Sequence, residues 1–424
     1  MDIHISTISI EMNNMQIQEL LQQRKQRGYA IAQTRKVINQ NGVWIVPSAT
    51  KPSQTYKVQL SLEGAKCNCP DFAERGLRCK HIFAVDITVS KQFNKDGTTT
   101  ITQTKKITYP QNWTAYNKAQ INEKELFMKL LADLCKGIEE PIYTFGRPRL
   151  QLKDMVFSSA LKVYSTVSLR RFMSDAKTAL EKGYITKRGS ATAVGKYIQN
   201  ERLTPILNQL ITASALPLKA VETKFAIDSS GFRTTKFNDY CRETHHTDKA
   251  HQWIKVHVCT GVKTNIITAV EVGLSGHWKD NDHSHFIPLA EKTHELGFNM
   301  QEISADKAYS SKANLECVVG IGATPYIPFR SNASADSVHA TMLWKKMYNF
   351  FVFNQEQFLE HYHSRSNVES TFNMIKAKFT DLVRSKDNVA QLNEVLLKIL
   401  CHNIVVLIQE TFELGIEPNF YMGA

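Results

Sequence analysis

The chain has 424 residues, 42% of them hydrophobic and 22% charged, and carries a formal net charge of +12. That length predicts two or three domains rather than one small core. No apolar run approaches the roughly 20 residues that span a bilayer, and the start "MDIHISTISIEMNN" has acids and no basic lead, so a soluble, cytoplasmic protein with no membrane partner is expected. An excess of cations favours polyanions, nucleic acid being the usual one, although an inert basic surface would show the same charge. The motifs must therefore decide.

Residues 1–40 form a polar, Gln-rich segment with a helix expected over "MQIQELLQQRKQR". Two strand-like runs follow, "VWIVPS" and "TYKVQLSLEG". The chain then enters "CNCPDFAERGLRCKHIFAV", in which Cys67, Cys69, Cys79 and His81 form C-x-C-x9-C-x-H. Three thiolates and an imidazole suit tetrahedral Zn²⁺, and four protein ligands leave no open position, so the site reads as structural. This pattern resembles the SWIM zinc finger, over roughly residues 41–92, a module associated with DNA or protein binding. The other cysteines, Cys135, Cys241, Cys259, Cys317 and Cys401, stand singly. They read as buried free thiols, not as a disulfide framework.

A Thr/Lys/Gln-rich linker is expected from about 90 to 112. Residues 113–218 then show helical periodicity, with Ser168 as an N-cap and Gly183 near a helix end. Short helices and tight turns suit a helix-turn-helix-like DNA-binding region, though generic helical packing fits too. Arg170 and Arg171 open a short helix that could read DNA. In "FGRPRL", Arg147 and Arg149 flank a proline in an extended basic strip that could enter a minor groove, or simply be a solvated linker.

After Lys219 strands dominate: "TKFAIDSSGF", "HQWIKVHVCTG" and "NIITAVEVG", then "MQEISADKAYSS" and "ATPYIPF", followed by helical runs around Glu369 and over "QLNEVLLKILCHNIVVLIQETF". The order predicts a mixed α/β sheet with helical cover. Asp228 and Asp306 each follow an apolar strand and are expected at its C-terminal end. "HWKDNDHSHF" offers Asp280, Asp282, His283 and His285, and reads as a polar loop with an Asp capping the next helix rather than a metal cluster. In "YHSRSNVESTFNMIK", Tyr362, Arg365, Glu369 and Lys376 fall within an arc of roughly 60° if one helix carries all four. A solvated face explains the charges but neither the tyrosine nor the two upstream aspartates. A phosphodiester site explains them all. Hard cations take carboxylate oxygens, two such ions can serve the attacking and leaving oxygens, and Arg, Lys and Tyr can grip phosphates or stack on a base.

On these residues the chain resembles the DDE insertion-sequence transposases, and the Y-x2-R-x3-E-x6-K spacing resembles the YREK signature of one of their branches. "ADKAYSS" is similar to the segment around their second acid, where Gly is commoner than Ala308. The resemblance covers roughly residues 220–412. It implies an RNase H-like catalytic core in which Asp228, Asp306 and Glu369 hold two Mg²⁺ or Mn²⁺ ions. It also implies that Tyr362, Arg365 and Lys376 position double-stranded DNA at an element's ends. The expected activity is metal-dependent cleavage of those ends and transfer of the 3′-OH to target DNA, by a homodimer at the nucleoid of a prokaryote. Only 62 residues separate Asp306 from Glu369, which leaves little room for the β-rich insertion of some relatives and puts hairpin-forming cleavage in doubt. A non-catalytic descendant kept for DNA binding, or a structure-selective nuclease, are the rival expectations.

Overall fold

A computed structural model describes residues 14–40, 42–49, 51, 54–61, 64–93, 99–103, 112–142, 145–146, 149–235, 253–274, 282–330, 332–335 and 340–421. The chain divides into two units, Met1–Pro110 and Gln111–Ala424.

The first unit is built on a four-stranded antiparallel sheet, β1 (Ile38–Gln40), β2 (Val43–Pro47), β3 (Thr55–Ser61) and β4 (Gly64–Cys67), paired in chain order. Strand alternation turns Trp44, Val46 and Val58 inward. The single run expected to Gly64 is split. β3 ends at Ser61, and β4 starts at Gly64 opposite it. Helix α1 (Asn14–Thr34) lies where the Gln-rich segment was expected to be helical. It packs on α3 (Lys80–Thr88), with α2 (Pro70–Arg75) between the cysteines. Gly28 allows the close approach of α1 to α3, because a Cβ there would lie 2.6 Å from the Phe83 Cβ and 2.8 Å from the Lys80 carbonyl oxygen. The expected linker begins differently: β5 (Val89–Phe93) and β6 (Thr99–Gln103) pair as an antiparallel ribbon. The Val, Thr and Ile residues in those stretches favour a pleated surface.

The second unit opens with five helices, α4 (Trp113–Cys135), α5 (Leu152–Tyr164), α6 (Leu169–Glu181), α7 (Ala191–Ile198) and α8 (Leu203–Ala215). Ser168 caps α6 by accepting from the Arg171 N–H, and Gly183 takes a φ of +75° just beyond its end, as the sequence predicts. A five-stranded sheet follows: β7 (Lys224–Arg233), β8 (Trp253–Gly261), β9 (Ile267–Leu274), β10 (Glu302–Ala305) and β11 (Thr324–Tyr326). Its spatial order is β11-β10-β7-β8-β9, with β8 antiparallel to β7, β9 antiparallel to β8, and β10 and β11 parallel to β7. This is the RNase H-like order 5-4-1-2-3 within the sheet. Helices α9 (Asp282–Glu295), α10 (Lys312–Gly320), α11 (Met342–Phe353), α12 (Gln355–Tyr362), α13 (Ser366–Phe379) and α14 (Asn388–Glu413) cover it. α14 is long and apolar enough to cross a membrane, yet its most apolar stretch is 78% buried against protein. It packs on α4, α5, α8 and β9. The early helices and the sheet therefore share one hydrophobic core.

Candidate active site and metal centre

In the first unit, Cys67 closes β4 and is held in register by its pairing with Val58. Cys69 precedes Pro70, which opens α2, and Gly76 ends that helix with a φ of +62°. Cys79 and His81 sit at the start of α3. All four side chains are buried, and their ligand atoms lie within 4.8 Å of one another. His81 presents Nδ1, 3.9 Å from both the Cys67 and Cys79 sulfurs. That separation is close to the edge of a tetrahedron with metal–ligand distances of ~2.0–2.3 Å. The donor set and its spacing fit zinc. A hydrogen bond shared by the Cys67 and Cys79 thiols pulls Cys79 down to about 3 and pushes Cys67 up. One residue missed in the sequence reading ties α1 to this loop. Arg24, 4% exposed, pairs with Asp71 and donates to the Arg78 carbonyl.

In the second unit, Asp228 lies mid-strand, not at the end of β7 as expected. Its parallel neighbour gives the reason. β10 stops after the pair Ala305–Ile227, whereas β8 follows β7 to Arg233. Asp228 and Asp306 are thus the first residues beyond the paired stretch on two adjacent parallel strands, where a sheet opens into a crevice. Asp306 caps a 3-10 turn, accepting from the Lys307 N–H at 2.6 Å, and Asp228 accepts from Ser229 at 2.8 Å. Glu369 is in the first turn of α13.

The expected single helix from Tyr362 to Lys376 is three segments. Tyr362 ends α12, a 3-10 turn spans His363–Arg365, and α13 begins at Ser366. Ser364 and Ser366 bond back to the carbonyls of His361 and His363, which tightens this turn. Backbone angles stay right-handed throughout, so the stripe survives. The Arg365 guanidinium lies 5.9 Å from the Tyr362 ring centre. It also bridges the acids, 2.7 Å from Asp228 Oδ2 and 2.6 Å from Glu369 Oε1. Lys376 donates to the Ser230 hydroxyl at 2.7 Å. Ser230 is two residues from Asp228 and so on the same face of β7. The sequence "DSSG" carried that signal.

Burial raises the Asp228 carboxyl above its usual range. Asp306 and Glu369 add to the rise, while the Ser229 N–H and Arg365 oppose it. Burial likewise raises Tyr362, with Asp306 and Asp228 adding and Arg365 opposing. Burial lowers Lys376. Asp228, with Asp306 and Glu369 near enough to act on it, makes a hard-oxygen donor set of the kind suited to a divalent cation. Among the described residues, the Cys67, Cys69, Cys79 and His81 group is the one whose ligand atoms converge within 4.8 Å. The three acids stand further apart, with Arg365 reaching two of them.

A second missed feature fixes the end of α13. Thr380 leaves the helix with a φ of +65°. Lys398 of α14, 2% exposed, donates to the carbonyls of Thr380 and Leu382, each at 2.9 Å. Glu394, one turn earlier, accepts from the N–H groups of Arg384 and Ser385. The clasped loop bonds back to Arg233 on the first acid's strand.

Arg170 and Arg171 are exposed at the start of α6, and Arg149 is exposed outside any helix or strand. Arg147, Asp280 and Cys241 lie outside the described residues. Asp282 opens α9 and pairs with Lys255 at 2.6 Å. His285 pairs with Glu271 and stacks on His257 at 3.9 Å, so this group belongs to the packing of α9 on the sheet. Cys135, Cys259 and Cys401 are buried free thiols, and Cys317 is half-buried.

A family model described as "Transposase DDE domain" matches residues 219–404, and one described as "SWIM zinc finger" matches residues 56–85. No curated protein matches the chain. Among solved structures it is similar to one titled "Cryo-EM structure of piggyBac transposase synaptic complex with hairpin DNA". The identity is 11%, over 70% of this chain and 74% of that one, with a TM-score of 0.32.

Proposed function

We propose that this chain, which carries a transposase DDE domain behind a SWIM zinc finger, binds the ends of a DNA element, hydrolyses a phosphodiester there and transfers the freed 3′-OH to target DNA. One observation carries the reading. Asp228 and Asp306 stand side by side just beyond the paired stretch of two adjacent parallel strands, and Arg365 links Asp228 to Glu369 on the covering helix. Asp228, Asp306 and Glu369 would hold divalent metal, Mg²⁺ or Mn²⁺, which supplies Lewis-acid polarisation of phosphate oxygens and an activated water.

The chain's own residues do the rest. Arg365 is a planar fork already beside the acids, suited to grip a phosphate bidentately once DNA enters. Lys376, held by Ser230 on the face of Asp228, adds a second cation. Tyr362 offers a ring for stacking and a hydroxyl for a phosphate. Arg147, Arg149, Arg170 and Arg171 would hold flanking DNA. Two ends meet in one reaction, so a homodimer on DNA follows, in the cytoplasm at the nucleoid of a prokaryote.

The test is cleavage of a plasmid carrying the coding region with its native flanks, in Mg²⁺ or Mn²⁺, comparing wild type with Asp306→Asn. Cuts at defined flanking positions are expected, reduced on the order of 1000-fold in the variant, about 4 kcal/mol of barrier. Scattered cuts would favour a general nuclease. Tight binding to the flanks without cutting would leave a DNA-binding descendant.

A further inference from the structure

The α5–α6 turn and the far side of α13 enclose an open cavity of about 560 Å³, lined by Lys124, Arg171, Ser174 and Lys378 among others. α13 is the helix that carries Glu369 and Lys376. Lys378, two residues beyond Lys376, lies roughly 200° further round the helix and so faces the early helices instead of β7. It pairs with Glu123 at 2.7 Å and lies 5.8 Å from the Tyr164 ring centre. Thr166 turns the chain with a φ of +55° and receives the Arg384 guanidinium on its carbonyl. Three cations from three helices, Lys124 of α4, Arg171 of α6 and Lys378 of α13, thus line one concavity.

The two acids in this cleft are already engaged. Asp175 accepts from Ser165 at 2.6 Å and pairs with Lys124 at 2.9 Å. Glu123 accepts from the Tyr164 hydroxyl at 2.6 Å as well as from Lys378. They fix the cleft walls and offset two of the three cations. Among the described residues Arg171 has no acid partner. The lysine pairs are solvent-exposed on the cation side and therefore weak, so a phosphate can displace or share them at little cost.

We propose that this cleft seats the phosphodiester backbone of duplex DNA on the opposite side of α13 from the carboxylates. In that arrangement α13 presents Lys376 to the reacting end and Lys378 to the flanking backbone. Arg171 contacts phosphate and not base edges. The inference rests on the transposase reading and extends it to a second contact surface.

The test is fluorescence anisotropy of the full-length, zinc-loaded protein on a labelled duplex from the coding region's flank. Salt is varied from about 50 to 300 mM without added Mg²⁺. Three variants are compared: the double variant Lys124→Gln/Arg171→Gln; Ser174→Asp, which places an acid in the cleft and keeps every cation; and Lys136→Gln, an exposed lysine that caps the C-terminal end of α4, about three turns beyond Lys124. The first two are expected to weaken binding about 10-fold, the double variant with a salt slope lower by about 2. Lys136→Gln is expected to leave both unchanged. Unaltered affinity and slope in the first two, with wild type binding, would overturn the cleft and leave the transposase reading standing. An equal loss in Lys136→Gln would mean diffuse attraction and also overturn it. A wild type that binds no duplex sinks the reading and the cleft together. Coincident melting curves for all four proteins exclude unfolding as the cause.

Discussion

Glu410 is an acid in the wrong place for stability. It is 7% exposed on the last turns of α14, and it faces Glu413 and Glu222, with Lys263 partly offsetting them. The helix C-terminus adds its own negative end. Burial, then those two acids, raise its carboxyl from 4.5 to about 7. Below pH 4.5 the group is protonated folded and unfolded, and it costs nothing. Between 4.5 and 7 the folded state alone keeps the proton, so stability falls as pH rises, and above 7 the full penalty stands. Glu410→Gln is therefore expected to stabilise the second unit by about 1–2 kcal/mol at pH 8, after allowing for solvent screening, and by much less at pH 5. Urea unfolding at the two pH values checks it; equal gains at both would show that ionisation is not the cause. The same scale explains what could be read in advance. Asp228, Asp306 and Glu369 stand out because charge interrupts apolar patterning. Lys398 and Glu394 carry that signal too, one turn apart in "NEVLLKILC". Their partners are main-chain groups of a loop 16 and 18 residues earlier for Lys398, and a backbone carbonyl leaves no mark in the sequence.

At the scale of elements, strand periodicity exposed the sheet of the second unit, because apolar runs buried on both faces are hard to mistake. What it did not show is where pairing stops. Asp228 is mid-strand by its own pattern, and only the short length of β10 makes it a crevice residue. The helix α1 was legible as a helix but not as a partner of α3, since its buried positions among the described side chains are Arg24, Gly28 and Ile31, which a charged residue and a glycine keep from reading as an apolar stripe. That surface can be tested by sign. In an exposed helix Gly→Ala gains about 1 kcal/mol from propensity. At Gly28 the new methyl would meet the Phe83 Cβ at 2.6 Å and the Lys80 carbonyl at 2.8 Å, atoms fixed to the α3 backbone. Gly28→Ala is expected to cost the first unit about 1–3 kcal/mol by overpacking. Hydrogen exchange should then show faster exchange in both α1 and α3. A net gain in stability would mean the two helices do not touch there in solution.

For the whole molecule, the decisive fact is that each unit has a hydrophobic core of its own among the described residues. One gathers Ile31, Trp44, Val46, Val58 and Ile82 around the cysteine and histidine ligands, and the other runs from Ala119 to Phe420 without sharing a residue. Apart from the cysteine ligands, seven buried apolar residues form the first of these among the described residues, a small core for the chain it must order. Structural zinc binding contributes on the order of 10 kcal/mol, more than such a core leaves after conformational entropy. The first unit should therefore fold with its metal and unfold without it, while the second, with α14 running through its centre, should not respond. Calorimetry of the zinc-loaded full chain is expected to show two transitions. Titration with a chelator selective for zinc should abolish one of them and shift the other by less than a few degrees. Replacing Cys79 with Ser should do the same without a chelator, because the ion loses one of four ligands. A single transition that is indifferent to both treatments would mean that the sheet and α1 hold the first unit by themselves, and that the four ligands are a buried polar cluster rather than the metal centre of a zinc finger.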